Sequence, residues 1–418
     1  MQKLWLIVVS FFWLGVTVVS SQTYSILIKG GYLIDPKNNL NEMMDVAIQD
    51  GKIAKVAKNI EAASAKLVID AKGLYVTPGL IDIHGHVFHG ADPEGQLQNG
   101  FVSLPPDAFT FRSGITTIVD AGSSGAKLFP LFKKNIIDKS STRVLAFLNI
   151  SVEGMRGDEM SVYQQNTSFM DPEMAANYAK HYKDIIVGIK VAHYHSPSFI
   201  AVDRAVEAGR LANIPVMVDF GGAKPRLSLK SLFLEHLRPG DIFTHAFGEL
   251  VDTKETIVDL KTKRLEPYVW EARKRGIIFD VGHGGGSFAF TQALPAAKAG
   301  FYPETISTDL HTGSMNSAMK DLLNVMSKFL AMNMPLTEVI KASTWMPAKV
   351  IKHEELGHLS VGAIADIAIL NLRKGEFGFY DVARVKLTGK ELLECEVTVK
   401  DGKVMYDLNA RSMTNLPR

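Results

Sequence analysis

Six side chains able to bind a cation or move a proton sit where strand-like runs end. His84 closes the run 80–84 and His86 follows after one glycine. Lys190 closes 185–190, Asp219 closes 215–219, His245 closes 241–245 and Asp309 closes 304–309. On an extended strand, residues two apart face the same side, so His84 and His86 can grip one ion, and Gly85 keeps the intervening side free of bulk. Alone an HxH pair is a weak signal; behind the strand entry Pro78-Gly79-Leu80-Ile81-Asp82 it is a strong one. Lys190 ends an apolar run, where an ammonium is costly to bury and readily loses its proton. A neutral lysine adds carbon dioxide to form a carbamate, which resembles a carboxylate and bridges two cations. His245 suits an imidazole ligand, and Asp309 suits a group that holds an ion and shuttles a proton beside it. The plainer readings are a solvent-reaching Lys190, a core histidine at 245 and a helix cap at 309. The shared position at strand ends weighs against all three.

His283-Gly284-Gly285-Gly286-Ser287 follows the run 277–281. Glycine-rich loops cradle anions through backbone amides. With no GxGxxG after a strand and no P-loop lysine, nucleotide binding lacks support. The expectation is a close approach of backbone to substrate, with His283 and Gly284 contacting it; a plain flexible turn is the alternative.

The elements that must position these groups follow a pattern. Eight strand-like runs (80–84, 115–120, 144–149, 185–190, 215–219, 241–245, 277–281 and 304–309) are each followed by glycine or polar residues and then a helical stretch, such as 201–212 or 319–332. Eight such units predict an α/β fold, a closed (β/α)8 TIM-type barrel whose strand ends converge on one face. An open doubly wound sheet is the alternative, because periodicity alone does not show closure. Both chain ends read instead as short strands, with Asp50-Gly51 and Asp401-Gly402 as hairpin turns. They predict a small discontinuous β-sandwich domain, 22–78 with 355–418, around a barrel at 79–354.

Composition narrows the class. The 418 residues carry a net charge of +2, which argues against a nucleic-acid patch or an acidic tail. Hydrophobic residues at 46% and charged ones at 22% are ordinary for a globular chain. The one cysteine, Cys395, excludes an intramolecular disulfide and a CxxC metal motif, so a metal must be held by His, carboxylate or a modified lysine. Residues 1–21 read as a secretory signal: Met1-Gln2-Lys3, an apolar run 4–19 too short to span a bilayer, then Ser20-Ser21 before an expected cleavage at Gln22. An exported protein, periplasmic or secreted and with no membrane span after cleavage, is expected.

Taken together, several segments resemble the amidohydrolase superfamily, in particular its deacetylase metallohydrolase branch of dihydroorotase-like enzymes. They are Ile28-Lys29-Gly30-Gly31 with Asp35-Pro36, Thr77-Pro78-Gly79-Leu80-Ile81-Asp82-Ile83-His84-Gly85-His86, Gly188-Ile189-Lys190-Val191 and Phe243-Thr244-His245. Asp280-Val281-Gly282-His283-Gly284-Gly285-Gly286-Ser287-Phe288 and Ser307-Thr308-Asp309-Leu310-His311 complete the set. The resemblance implies a binuclear site for two Zn2+ or other divalent ions. His84, His86 and Asp309 would hold the more buried ion, a carboxylated Lys190 would bridge, and His245 would serve the second. A bridging hydroxide would attack an acyl carbonyl, with Asp309 passing its proton to the leaving group. One departure matters: the family carries a histidine at the end of the fifth strand, where this chain has Asp219. Aspartate also ligates zinc; His193 or His195, in Val191-Ala192-His193-Tyr194-His195, are alternative ligands, and His193 is also a candidate substrate contact.

The expected activity is hydrolysis of an amide or ester acyl bond, deacetylase-like, on a small acylated molecule. A cyclic-amide hydrolase of the dihydroorotase or hydantoinase type is the alternative, against which export argues. A non-catalytic metal- or ligand-binding protein on the same fold is the alternative from another class. Loops 154–171 and 191–199 are expected to set specificity. Arg156 is a candidate carboxylate anchor there, or a solvated loop arginine. No nucleic-acid partner is expected, and a homo-oligomer is compatible with the sequence.

Overall fold

Strand-forming residues from both chain ends combine into one sheet. The computed structural model describes residues 23–89, 102–157, 161–219 and 222–413, so the expected signal segment 1–21 lies outside it. The N-terminal part supplies β1 (Tyr24–Asp35), β2 (Leu40–Gln49), β3 (Lys52–Ala57), β4 (Ala65–Asp70) and β5 (Tyr75–Pro78). Asp50 and Gly51, with φ of 52° and 73°, join Gln49 to its partner Lys52 in a two-residue hairpin. Positive φ at both central positions gives the turn whose twist matches the flanking strands.

The sheet is completed from the other end of the chain, in the order β15-β14-β13-β5-β1-β2-β3, with β4 also paired to β1. The late strands are β13 (Ile367–Tyr380), β14 (Lys386–Lys400) and β15 (Lys403–Asp407). Asp401-Gly402, at φ 50° and 73°, repeats the hairpin geometry between β14 and β15. The seam is β13 against β5, where Ile369 faces Val76. Ile26, Ile28, Val46 and Ile48 share a core with Ile367, Ile369, Val397 and Val399, so burial ties the two ends together.

One residue after β5 a second, parallel sheet begins. It runs in sequence order through β6 (Leu80–Gly85), β7 (Ile115–Gly125), β8 (Arg143–Asn149), β9 (Ile186–Val191), β10 (Val216–Val218), β11 (Ile242–Phe243) and β12 (Ile278–Phe279). The eighth expected run is not a regular strand, and Asp309 at its end has φ 51°. It still bonds on both sides: Thr305 bridges Asp280, and Leu310 bridges Gly85, both parallel. Gly284 N donates to Thr308 O (2.8 Å), and His86 N donates to Leu310 O (2.8 Å). The last segment therefore pairs with the first strand. The barrel is closed, and the open-sheet alternative falls.

Ile81, Ile83, Val119, Leu145, Phe147, Val187, Met217 and Ile242 come from six successive strands and pack in one cluster. Side chains of six neighbouring strands meet only on the enclosed side of such a curl, so this cluster fills the barrel. Helices Ile200–Ala212 and Leu322–Ala331 lie outside. The second starts three residues later than its apolar pattern suggests, because Asp321 caps it by accepting from Asn324 N. No helix of the described residues is long and apolar enough to cross a membrane.

Candidate active site

The barrel brings the six residues selected at strand ends into one place. The His84 and His86 rings lie 5.7 Å apart. Asp309 meets both: its Oδ1 is 3.1 Å from His86 Nε2 and 3.6 Å from His84 Nε2. His84, His245 and Asp309 each offer a donor atom, all within 4.8 Å of one another. Lys190, wholly buried on β9, places Nζ 3.3 Å from His84 Nε2. Asp219, just past β10, has Oδ2 3.3 Å from His245 Nε2 and 3.5 Å from His193 Nε2. His193, His245 and Asp309 have φ of 54°, 55° and 51°. Non-glycine residues hold such conformations at a cost, where the surroundings over-determine them.

Burial sets the protonation of this group. It drives His84 down to about 3, with Lys190 adding to the effect, so the ring is neutral and has a lone pair to offer. Burial also lowers Lys190, against the pull of Asp219 and Asp309. For the two acids burial works upward and is outweighed. His245, Lys190 and His193 hold Asp219 well below the usual carboxylate range, and His84, His86 and His311 do the same for Asp309. His245 is raised: burial opposes its charge, but Asp219 and Asp309 favour it more.

A second layer orients the rings. The Thr244 hydroxyl donates to Asp280 Oδ2 (2.7 Å) and accepts from His84 Nδ1 (2.8 Å). His86 Nδ1 lies 3.1 Å from Ser123 Oγ, and the Ser123 amide is tied to Asp120. His245 Nδ1 donates to Gly282 O at 2.5 Å. Engaging Nδ1 fixes the tautomer and leaves Nε2 facing the centre.

The centre opens into a cavity of about 600 Å³, a volume suited to a small molecule. His86, His193, His195, Asp219, His245, Asp309 and His311 line it, together with apolar Val102, Met155 and Leu250. Two expected substrate contacts are placed differently. His283 is fully buried, stacked on Phe288 at 4.6 Å, with Nε2 accepting from Lys328 Nζ at 2.6 Å, so its ring faces the helix layer. Gly284, at φ 55°, passes against the Asp309 carboxylate, and a Cβ there would overlap Oδ2. The loop's missing side chains thus give room to Asp309; it is Gly285 and Gly286 that border the cavity. Arg156 is engaged by Glu153 (3.2 Å) and lies over the Tyr163 ring.

A model described as Amidohydrolase family matches residues 289–405. A deacetylase of Brucella anthropi is 34% identical over 332 residues, which make up 78% of each protein. The chain belongs to the amidohydrolase superfamily. It is therefore a hydrolase, of the type that acts on carbon–nitrogen bonds. Among solved structures it is similar to an adenine deaminase (28% identity, TM-score 0.81), over 92% of this chain and 100% of the other. It is also similar to a dihydroorotase (29% identity, TM-score 0.78), over 91% and 99%.

Several residues of this amidohydrolase escaped the sequence reading. Asp82, Asp120 and Asp280 carry the second layer; the available signal was an aspartate inside or ending an otherwise apolar run. Asp82, pushed up to about 7 by burial against hydrogen bonds from Thr308, accepts the His84 and Thr308 amides. Lys254, lowered to about 8 by burial, donates to His245 O from behind (3.1 Å). Gln164 and Gln165 clamp the 191–199 loop: Gln164 Oε1 is 3.2 Å from His193 Nδ1, and Gln165 holds His193 O and His195 N. Nothing in the spacing of these residues marked them.

Proposed function

We propose that this amidohydrolase is a metal-dependent, deacetylase-like enzyme cleaving an amide or ester acyl bond of a small molecule. The observation that carries the reading is Asp309: its carboxylate touches His84 and His86 and also borders the cavity. The donor set fits a zinc-type ion, since neutral imidazoles and carboxylates are its usual ligands when thiolates are absent. His84, His86 and Asp309 would hold one ion and His245 with Asp219 another, Lys190 joining them as a carbamate. When bound, such an ion acidifies water toward neutrality and polarises the acyl oxygen.

The remaining steps belong to the chain. Lys190 Nζ, which burial lowers toward the neutral form, would add its lone pair to carbon dioxide and give up one proton. Asp309 is held ionised, accepts the proton of the attacking water and passes it to the leaving nitrogen or oxygen. Gly285 and Gly286 leave the cavity wall free of bulk beside that acid. The apolar residues Val102, Met155 and Leu250 suit the body of a small acylated molecule.

A dihydroorotate-type cyclic amide would bring a carboxylate. Arg156, a candidate anchor for one, is instead engaged by Glu153 and Tyr163, which favours the deacetylase-like reading. The pattern of residues 1–21 supports export.

The test is a panel of N-acetyl and O-acetyl substrates with the purified full chain. Turnover that chelation abolishes and a divalent metal restores is expected. A folded, metal-loaded protein inert across the panel would favour the non-catalytic binding alternative.

A further inference from the structure

We propose that Lys328 is a positioning residue for the reaction: through the His283 ring it holds the turn at Gly284 against Asp309. The proposal rests on the reading above in which Asp309 carries the proton. It gives a task to a buried amine that the mechanism does not otherwise use.

Lys328 lies on the helix Leu322–Ala331 and is wholly buried. An amine in apolar surroundings is costly unless acceptors take its hydrogens. Two do: His283 Nε2 at 2.6 Å and Ala318 O at 2.7 Å. His283 belongs to the loop after β12, and Ala318 to the stretch that follows Asp309. That stretch is tied at its other end, where Ser314 Oγ donates to Asp309 O at 2.8 Å. One amine therefore fastens both chain segments that meet at the acid.

The pairing also sets the state of the ring. Burial holds His283 well below the usual imidazole range, with Lys328 adding to the effect, so the ring is neutral and carries one proton. Lys328 donates to Nε2, so that proton sits on Nδ1, which donates to Gly284 O at 2.9 Å. Phe288, stacked at 4.6 Å and 14°, fixes the plane of the ring.

Gly284 is thus held at both ends. Its amide donates to Thr308 O at 2.8 Å, and its carbonyl accepts from His283. Between them its Cα lies against the carboxylate, where a Cβ would overlap Asp309 Oδ2. Turning this peptide moves that surface toward the acid or away from it. Lys328 is not among the residues lining the cavity, so its effect passes through His283 and Gly284 rather than through contact with substrate.

The experiment measures kcat and KM of the purified full chain on the acetyl substrate it turns over fastest, well below the melting temperature. Wild type, Lys328→Met, His283→Phe and the double variant are compared. Methionine fills the space of the lysine stem but cannot donate; phenylalanine keeps the stack on Phe288 but lacks both nitrogens. Each single variant should lose kcat by about 10- to 100-fold with KM within about threefold of wild type. The double variant should lose no more than about threefold beyond the weaker single variant, because both residues act along one route. A readout free of turnover is 15N NMR of histidine-labelled protein, with His283→Phe identifying the signals. Wild-type His283 should be protonated at Nδ1 alone, and Lys328→Met should show both tautomers. Circular dichroism reports folding; should Lys328→Met not fold, His283→Phe and the wild-type spectrum carry the test. A folded Lys328→Met with kcat within about threefold of wild type overturns the proposal. So do a loss confined to KM, single losses that multiply in the double variant, and a wild-type His283 protonated at Nε2. These four outcomes leave the proposed function standing; wild type inert across the acetyl panel overturns both.

Discussion

Gly284 lies with its bare Cα against the Asp309 carboxylate, so closely that a Cβ would overlap Oδ2. The contact joins the seventh strand's loop to the acid of the eighth segment, and two physical demands fall on one residue. Its φ of 55° is one that L side chains rarely adopt, and its free space is already taken. Gly284→Ala should therefore displace Asp309. We expect stability to fall by about 1 kcal/mol or more and turnover by about 100-fold. Gly286→Ala is the control: nothing lies within 4 Å of a Cβ there, so its melting temperature should stay near wild type. Wild-type kcat in Gly284→Ala would show that the contact does not position the acid.

Asp309→Asn separates the acid's shape from its proton chemistry. The amide fills the same space but cannot take up a proton. Turnover should fall by about 1,000-fold, within the range of general acid–base catalysis, while the melting temperature changes little. The check is steady-state kinetics beside a thermal melt. Near-normal activity would remove Asp309 from the mechanism.

The balance between what was legible and what was not follows from the kind of force involved. Strand runs ending in His84, Lys190, His245 and Asp309 announce themselves because burial demands apolar residues and chemistry demands polar ones at the mouth. Asp50-Gly51 and Asp401-Gly402 announce hairpins because few residues tolerate positive φ at both central positions. The tertiary partners carry no such periodic mark. Lys328 reads as one polar position on an apolar helix, yet it is wholly buried and bonded to His283. The position of His283 after a strand end points it toward substrate, but the ring turns away because Lys328 and Phe288 receive it. The irregular eighth segment was equally hidden, since a left-handed Asp309 leaves no trace in hydrophobic pattern.

Lys190 gives a prediction about a modification. Gly122, at φ 87°, makes room for it: a Cβ there would come within 2.5 Å of Lys190 Cγ. Burial lowers the amine toward the neutral form that reacts with carbon dioxide. Protein equilibrated with 13C-labelled bicarbonate should show a carbamate carbon signal that Lys190→Ala lacks. The variant should lose metal affinity and turnover by about 100-fold or more, and a short carboxylic acid filling the vacated space should restore part of both. An identical carbon spectrum in the variant would rule out the carbamate.

Lys328 predicts a pH dependence of stability whose sign can be worked out. Burial pushes its amine from 10.5 down to about 7, with Lys320 adding to the effect. Above the ordinary lysine value the amine is neutral in both folded and unfolded chains, so its burial carries no charging cost. As pH falls through the window from 10.5 to about 7, the unfolded chain takes up the proton and the folded one does not. Stability therefore drops across that window and levels off below about 7, where the folded protein binds the proton too. Lys328→Met removes this contribution. It also leaves Ala318 O and His283 Nε2 without their donor, a cost of about 1–3 kcal/mol that is constant across the window. Urea unfolding of both proteins at several pH values between 7 and 10, in chelator, should show wild type gaining on the variant as pH rises. A difference that stays flat would mean that the buried amine is charged throughout and that its pairing with His283 does not depend on the neutral form.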